Sequence, residues 1–153
     1  MNSANSDLID FKIRHSWHRI SRMYNQKAAS EQMTMSYGFI LMFIERKGTP
    51  STQLGPKMGM EATSLSRTIN AMEKDGLLIR EVSKNDKRIT LVYLTEKGVE
   101  KRKLVKKFIL DFNERINLKI KKKDLEGFYK VMNVVDDLVD DILEENKLIN
   151  EKV

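Results

Sequence analysis

Residues 65–98 read LSRTINAMEKDGLLIREVSKNDKRITLVYLTEKG, and two changes of period within this stretch decide the fold. The first part has a helical period. Leu65, Ile69 and Met72 recur at i, i+4 and i+7 and form one inward face of a helix expected over residues 62–75. The opposite face shows Thr63, Ser66, Arg67 and Asn70, with Ser64 beside them. These are small polar groups and one arginine, not the Glu/Lys mixture of an ordinary solvated helix. Gly76 stands where a glycine closes a helix at the C′ position. The period then switches to two in LLIREV (77–82) and RITLVYL (88–94), separated by the polar turn SKNDK. The result is a hairpin whose tip carries Lys84, Lys87 and Arg88. Thr95 caps the next helix, with Glu96 in its first turn.

Upstream, Thr34 is a good cap for a helix running through YGFILMFIERK to Gly48. Its middle is apolar all round, which reads as a buried helix. The segment STQLGPKMG that follows is expected to be short, kinked or shifted, because Pro56 removes a backbone donor, and Gly59 ends it. Further back, Ser6 caps a helix with Asp7 in its first turn and a stripe of Ile9, Ile13, Trp17, Ile20 and Tyr24. Downstream, a long helix carries Val105, Phe108, Ile109, Phe112 and Ile116 on one face, and the chain breaks at KKKD (121–124). In the last helix Leu125, Phe128, Met132, Val135, Val139 and Ile142 are spaced 3, 4, 3, 4, 3 with Asp and Glu outside the seam. So short a seam does not stand alone and needs a partner.

Helix, helix, helix and hairpin in this order make a winged helix-turn-helix, whose second turn-linked helix enters a DNA major groove. The expected fold is mainly α with a small β-hairpin wing: a winged helix-turn-helix lobe over 32–98 and a helical dimerisation domain over 1–31 and 99–153. Arg67 and its small polar neighbours suit close approach to base edges and phosphates, and the wing tip suits phosphates or a minor groove. For Arg88 two roles stay open, a salt bridge with Asp86 and insertion into the minor groove.

The pattern Met72-Glu73-Lys74-Asp75-Gly76-Leu77, then Asp86-Lys87-Arg88, then Leu94-Thr95-Glu96-Lys97-Gly98, resembles the signature of the MarR family of bacterial transcription regulators. Helices outside the winged unit also match that family in number and order. The resemblance implies that Asp86 orients the wing arginine. It also implies a homodimer on a pseudo-palindromic double-stranded operator, and repression relieved by a small-molecule effector. Three positions depart from the family pattern. Met72 replaces a usual Leu, a volume-conserving swap. Glu61 occupies the usual place of a Ser, Thr or Asp cap, which implies a different start for the recognition helix. Gly55-Pro56 stands where a good helix former is usual, which bears on DNA contacts around Ser51 to Gln53.

Composition narrows the classes further. The chain has 153 residues, 41% hydrophobic and 33% charged, enough apolar material for a core and a length suited to one domain with an oligomerisation appendage. Its net charge of +6 permits a polyanionic partner. The charge is uneven: residues 101–123 hold ten basic and two acidic side chains, and residues 124–153 hold three and nine. The run Lys101 to Lys107 is read as solvated helix with a minor steering role. The absence of Cys excludes disulfides, thiolate zinc sites and cysteine redox sensing. The polar N-terminal residues do not read as a signal peptide, and no apolar run approaches the ~20 residues of a membrane span. A cytoplasmic, nucleoid-associated bacterial protein with no membrane partner is expected.

No phosphate loop, nucleophile elbow or paired carboxylates with a base is present, so neither an enzyme nor a cofactor is expected. His15 and His18, at i and i+3, are the only histidines, and zinc would need two more ligands. No metal site is assigned, although a metal-responsive regulator is one alternative. A DNA-incompetent interaction module that retains the fold is another. Trp17, His18, Met35, Tyr37 and Phe39, with Met33 and Met42, form a candidate effector pocket, because Met adapts to varied partners and Trp, His and Tyr add a polar edge to an apolar body. Aromatic acids and acyl thioesters fit that chemistry, and ordinary core packing is the competing role for each residue.

Overall fold

The computed structural model describes residues 7–150, and the expected Ser6 cap lies outside them. The first helix, α1, spans Ile9–Ala29, with Leu8 in the cap position and no side-chain cap. It ends in a Schellman turn: the Gln32 and Met33 N–H groups donate to the carbonyls of Ala29 (3.0 Å) and Ala28 (2.9 Å). Gln32 takes the left-handed conformation this turn requires, at φ 57°. An L side chain there costs ~1–2 kcal/mol, of which the looser unfolded glycine chain returns part. Gln32→Gly should therefore raise stability by about 0.5–1 kcal/mol in urea unfolding. A loss would show that the Gln32 side chain does more than fill the turn.

Helix α2 is Met35–Phe43, and Thr34 Oγ1 accepts the Tyr37 N–H at 3.2 Å, as a capping threonine should. The helix stops at Phe43 rather than running on to Gly48. Ile44 is extended, the Glu45 N–H donates to Thr49 Oγ1 at 2.8 Å, and Gly48 turns the chain at φ +88°. A Cβ on Gly48 would sit 2.6 Å from the Tyr93 ring, so both conformation and space demand glycine. The turn delivers β1, Thr49–Pro50, to the sheet. That makes three strands where the sequence showed a two-stranded hairpin. Two residues are too few to display a period, and only the pairing reveals them.

Helix α3, Ser51–Met58, tolerates Pro56 in its last turn and ends at Gly59 in the left-handed conformation. Helix α4 is Ala62–Lys74, with Glu61 at its cap position making no side-chain bond. Strands β2 (Leu78–Val82) and β3 (Thr90–Leu94) pair antiparallel with Leu78 opposite Leu94 and Arg80 opposite Val92; the sheet order is β1-β3-β2. Helices α5 (Glu96–Asn117) and α6 (Lys122–Asn150) complete the chain. The core gathers Ile40, Leu41, Ile44, Leu54, Leu65, Ile69, Met72, Leu77, Leu78 and Val92, with Met33 from the turn after α1. The architecture is mainly α with a small antiparallel sheet.

In the run Lys101 to Lys107, read as solvated helix, Lys103, Lys106 and Lys107 are exposed, but Lys101 and Arg102 are structural, as is Lys97 before them. Lys97 Nζ donates to the Asp75 carbonyl (2.7 Å), Lys101 Nζ to the Glu31 carbonyl (3.0 Å) and carboxylate (3.1 Å), and Arg102 Nη1 to the Ile44 carbonyl (2.9 Å). Asp75 and Ile44 cap the C-termini of α4 and α2, and Glu31 follows α1. Cations there satisfy orphan carbonyls and complement the helix dipoles.

The chain divides into two compact units, one up to Phe108 and one from Ile109. The first unit holds α1, the winged lobe and the first half of α5, and those three cations bond the start of α5 to it. In the second unit α6 buries no residue. Phe128, Val139 and Ile142 of the expected seam are about half exposed, and so are Val131, Val134 and Leu138 beside it. A Cβ on Gly127 would meet nothing within 4 Å.

Candidate nucleic-acid interface

Burial of one face of α4 exposes the other. Leu65, Ile69 and Met72 are at most 6% exposed, which turns Thr63, Ser66, Arg67 and Asn70 outward; all four are exposed. Ser64 is exposed on the flank, and its carbonyl accepts the Thr68 hydroxyl at 2.9 Å. Lys74, four residues past Asn70 and exposed, extends the outward face. Sequence reasoning missed it, although the i, i+3, i+7 spacing of Arg67, Asn70 and Lys74 marks it.

The wing is held from inside its turn. The Ser83 N–H donates to the Ile89 carbonyl at 2.8 Å, and Ser83 Oγ accepts the N–H groups of Asn85 and Asp86. Asp86 then accepts three bonds from Arg88, from the backbone N–H (2.9 Å), Nε (3.1 Å) and Nη2 (3.1 Å). Those bonds hold the Asp86 carboxyl below the usual carboxylate range and keep the Arg88 guanidinium charged. The Arg88 side chain remains 89% exposed while so oriented. Lys84 and Lys87 beside it are exposed. The wing is tied to α4 as well. Arg80 on β2 grips Glu73 Oε2 through Nε and Nη2, and these hydrogen bonds lower the Glu73 pKa. Between α3, α4 and the wing lies an open concavity of about 710 Å³ lined by Ser51, Thr52, Ser66, Ile69, Arg80 and Thr90. Its lining joins residues from three elements, a juxtaposition no local pattern reveals.

The candidate effector residues do not converge on one pocket. Phe39 stacks on Trp17 (centroids 6.3 Å, 19° between planes), and Tyr24 meets both Phe39 and Phe108 edge-on. Tyr37, two residues earlier on α2, leaves the opposite side and donates its hydroxyl to Asp75 Oδ2 at 3.0 Å. Burial first, then this bond, raises the Tyr37 pKa and keeps it a donor. Met33 belongs to the core, Met35 and Met42 are half-buried, and His15 and His18 are exposed. What survives is an aromatic wall of Trp17, Tyr24 and Phe39, with Trp17 48% exposed. Ser21, four residues after Trp17, has a buried Oγ without a hydrogen-bond partner. Among the described residues no helix is long and apolar enough to cross a membrane.

The model of the MarR family matches residues 33–90, the stretch that holds α2 to the wing. The segment from α2 to the wing is thus similar to the MarR family over 58 of the 153 residues. The chain is 34% identical over 61 residues to the HTH-type transcriptional regulator MhqR of Bacillus subtilis (strain 168), covering 39% of this chain and 42% of that protein. The match thus spans less than half of that relative's length. Two solved structures share the fold over far more of the chain. One is the S. aureus MepR–DNA complex (TM-score 0.76, 15% identity, 86% of this chain and 98% of that one). The other is CouR from Rhodococcus jostii RHA1 bound to p-coumaroyl-CoA (TM-score 0.76, 18% identity, 88% and 95%).

Proposed function

We propose that the chain is a sequence-specific, dimeric DNA-binding transcription regulator of the cytoplasm, a repressor released by a small aromatic acid or acyl thioester. The observation that carries the reading is the outward face of α4, small polar side chains around Arg67, set beside a wing whose Arg88 is oriented by Asp86 yet exposed. Such a face admits the close approach that base-edge contacts require. The half-exposed apolar side chains of α6 support a second copy as its partner, and Gly127 leaves room for a close approach there. Selection from a random-sequence DNA pool tests the reading. It should enrich a pseudo-palindrome with half-sites roughly 10 base pairs apart. No enrichment would leave an interaction module that retains the fold.

Asp86 offers a test by sign. Removing an acidic group from a DNA-binding surface strengthens sequence-independent attraction. If Asp86 instead orients Arg88, Asp86→Ala should weaken binding to the selected duplex by about 1 kcal/mol while raising affinity for unrelated DNA, as read by fluorescence anisotropy. Stronger binding to both duplexes would remove the orienting role.

The aromatic wall and the orphan Ser21 hydroxyl support an effector with an aromatic body and a polar group, and the ligand of CouR is of that class. Phenolic acids and p-coumaroyl-CoA should raise the melting temperature and lower operator affinity together, since only a ligand that prefers the DNA-incompetent form releases DNA. Stabilisation with unchanged DNA affinity would make the wall a passive site.

A further inference from the structure

Helix α2 presents two faces to two neighbours. Phe39 rests on Trp17 and Tyr24 of α1. Tyr37 leaves the other side, packs against the core and bonds Asp75, the C-cap residue of α4. The same end of α4 is held from the start of α5: Lys97 Nζ bonds the Asp75 carbonyl at 2.7 Å and the Thr95 hydroxyl bonds the Gly76 carbonyl at 2.6 Å. The opposite end of α4 lacks a side-chain cap. The C-terminus of the helix is thus held by side-chain bonds, and Thr63, Ser66 and Arg67 lie toward its other end, which is held by the packing of Leu65. Its 13 residues span roughly 20 Å, so a tilt of about 3° at Asp75 displaces Thr63 by about 1 Å. Gly38, Ile40 and Leu41 are buried, and a close-packed helix moves as a body rather than deforming.

We propose that Tyr37 is a positioning residue: its bond to Asp75 sets the attitude of the recognition helix, and α2 conveys displacement of its Phe39 face to that helix. The proposal rests on the reading of α4 as the DNA-contacting element. It assigns Tyr37, first grouped with an effector pocket, to the link between that region and α4. Coupling of this kind is demonstrated by a double-mutant cycle rather than by proximity.

The cycle uses the full chain, Tyr37→Phe, Phe39→Leu and the double variant, with dissociation constants measured on the selected duplex over a salt series. Tyr37→Phe should weaken binding about fivefold with an unchanged salt slope, because no phosphate contact is lost. Phe39→Leu should weaken it too, and the double variant should bind no worse than the weaker single one. Wild-type affinity in Tyr37→Phe, or additive losses, would overturn the proposal. Amide chemical shifts of the free protein give a readout that needs no DNA. Tyr37→Phe should move the α4 amides as far back as Arg67, and changes confined to residues 75–77 would overturn the positioning role. A wild-type chain that bound no selected duplex would count against the proposed function, and the amide shifts would still decide the link between α2 and α4.

Discussion

Gly98→Ala should destabilise the protein by about 3 kcal/mol or more, lowering the melting temperature by roughly 6–12 °C or preventing folding. A Cβ at this position would lie 1.9 Å from the Leu77 carbonyl oxygen and 3.0 Å from its carbon. Backbone, unlike a flexible side chain, cannot swing aside. Leu77 is itself pinned: it is 3% exposed, and its carbonyl accepts the Thr95 N–H at 3.2 Å. The Thr95 hydroxyl meanwhile bonds the Gly76 carbonyl and accepts the Gly98 N–H at 3.1 Å. The first turn of α5 therefore packs directly on the chain entering β2. Gly38→Ala is the control. A Cβ there would meet Val105 at 3.5 Å, an ordinary contact, and alanine in a helix interior gains ~1 kcal/mol in propensity. Thermal unfolding of the two variants should move in opposite directions. A Gly98→Ala protein within 1 kcal/mol of wild type would mean that α5 can shift off Leu77 cheaply.

The second large effect concerns DNA. Arg67→Ala should cost ~1–3 kcal/mol on the selected duplex and relax preference at one position per half-site, since a base-reading arginine is lost. Arg88→Ala should weaken binding to all sequences with a narrow minor groove and reduce the salt slope by about one ion per wing, because a cationic contact in a groove displaces counterions. The two residues lie on different elements and share no hydrogen-bond partner, so their losses should add within about 0.5 kcal/mol. Measured as dissociation constants over a salt series, a uniform loss for Arg67→Ala without change in preference would reassign it to the phosphate backbone.

How much of this was legible in the sequence varies with the range of the interaction. The α4 period, Gly76 and the hairpin rest on neighbours within a turn or a strand, and they stand where residues 65–98 placed them. Gly98 was visible as part of a motif, but its reason is the Leu77 carbonyl, 21 residues earlier in the chain. The end of α2 at Phe43 depends on Thr49–Pro50 pairing with β3, and nothing in FIERKG announces that competition. Lys101 and Arg102 looked like solvent-facing cations because their acceptors, the carbonyls of Glu31 and Ile44, are backbone atoms 70 and 58 residues distant. The effector pocket was gathered by residue type without regard to faces, and Tyr37 and Phe39, two apart on one helix, point in opposite directions. The outward face of α4 was legible because its composition sets it apart: a solvated helix face has no reason to hold Thr63, Ser66 and Asn70 around one arginine.

The central claim is that α4 and the wing together read a DNA sequence. The most direct measurement is the ratio of dissociation constants for the selected duplex and a shuffled duplex of equal length, at about 0.15 M salt, for wild type and for the Arg67→Ala/Arg88→Ala double variant. Sequence-specific readout predicts a wild-type preference of about a thousandfold or more for the selected duplex, collapsing to near tenfold in the double variant. Equal wild-type affinity for both duplexes, or an undiminished preference in the double variant, would contradict the account.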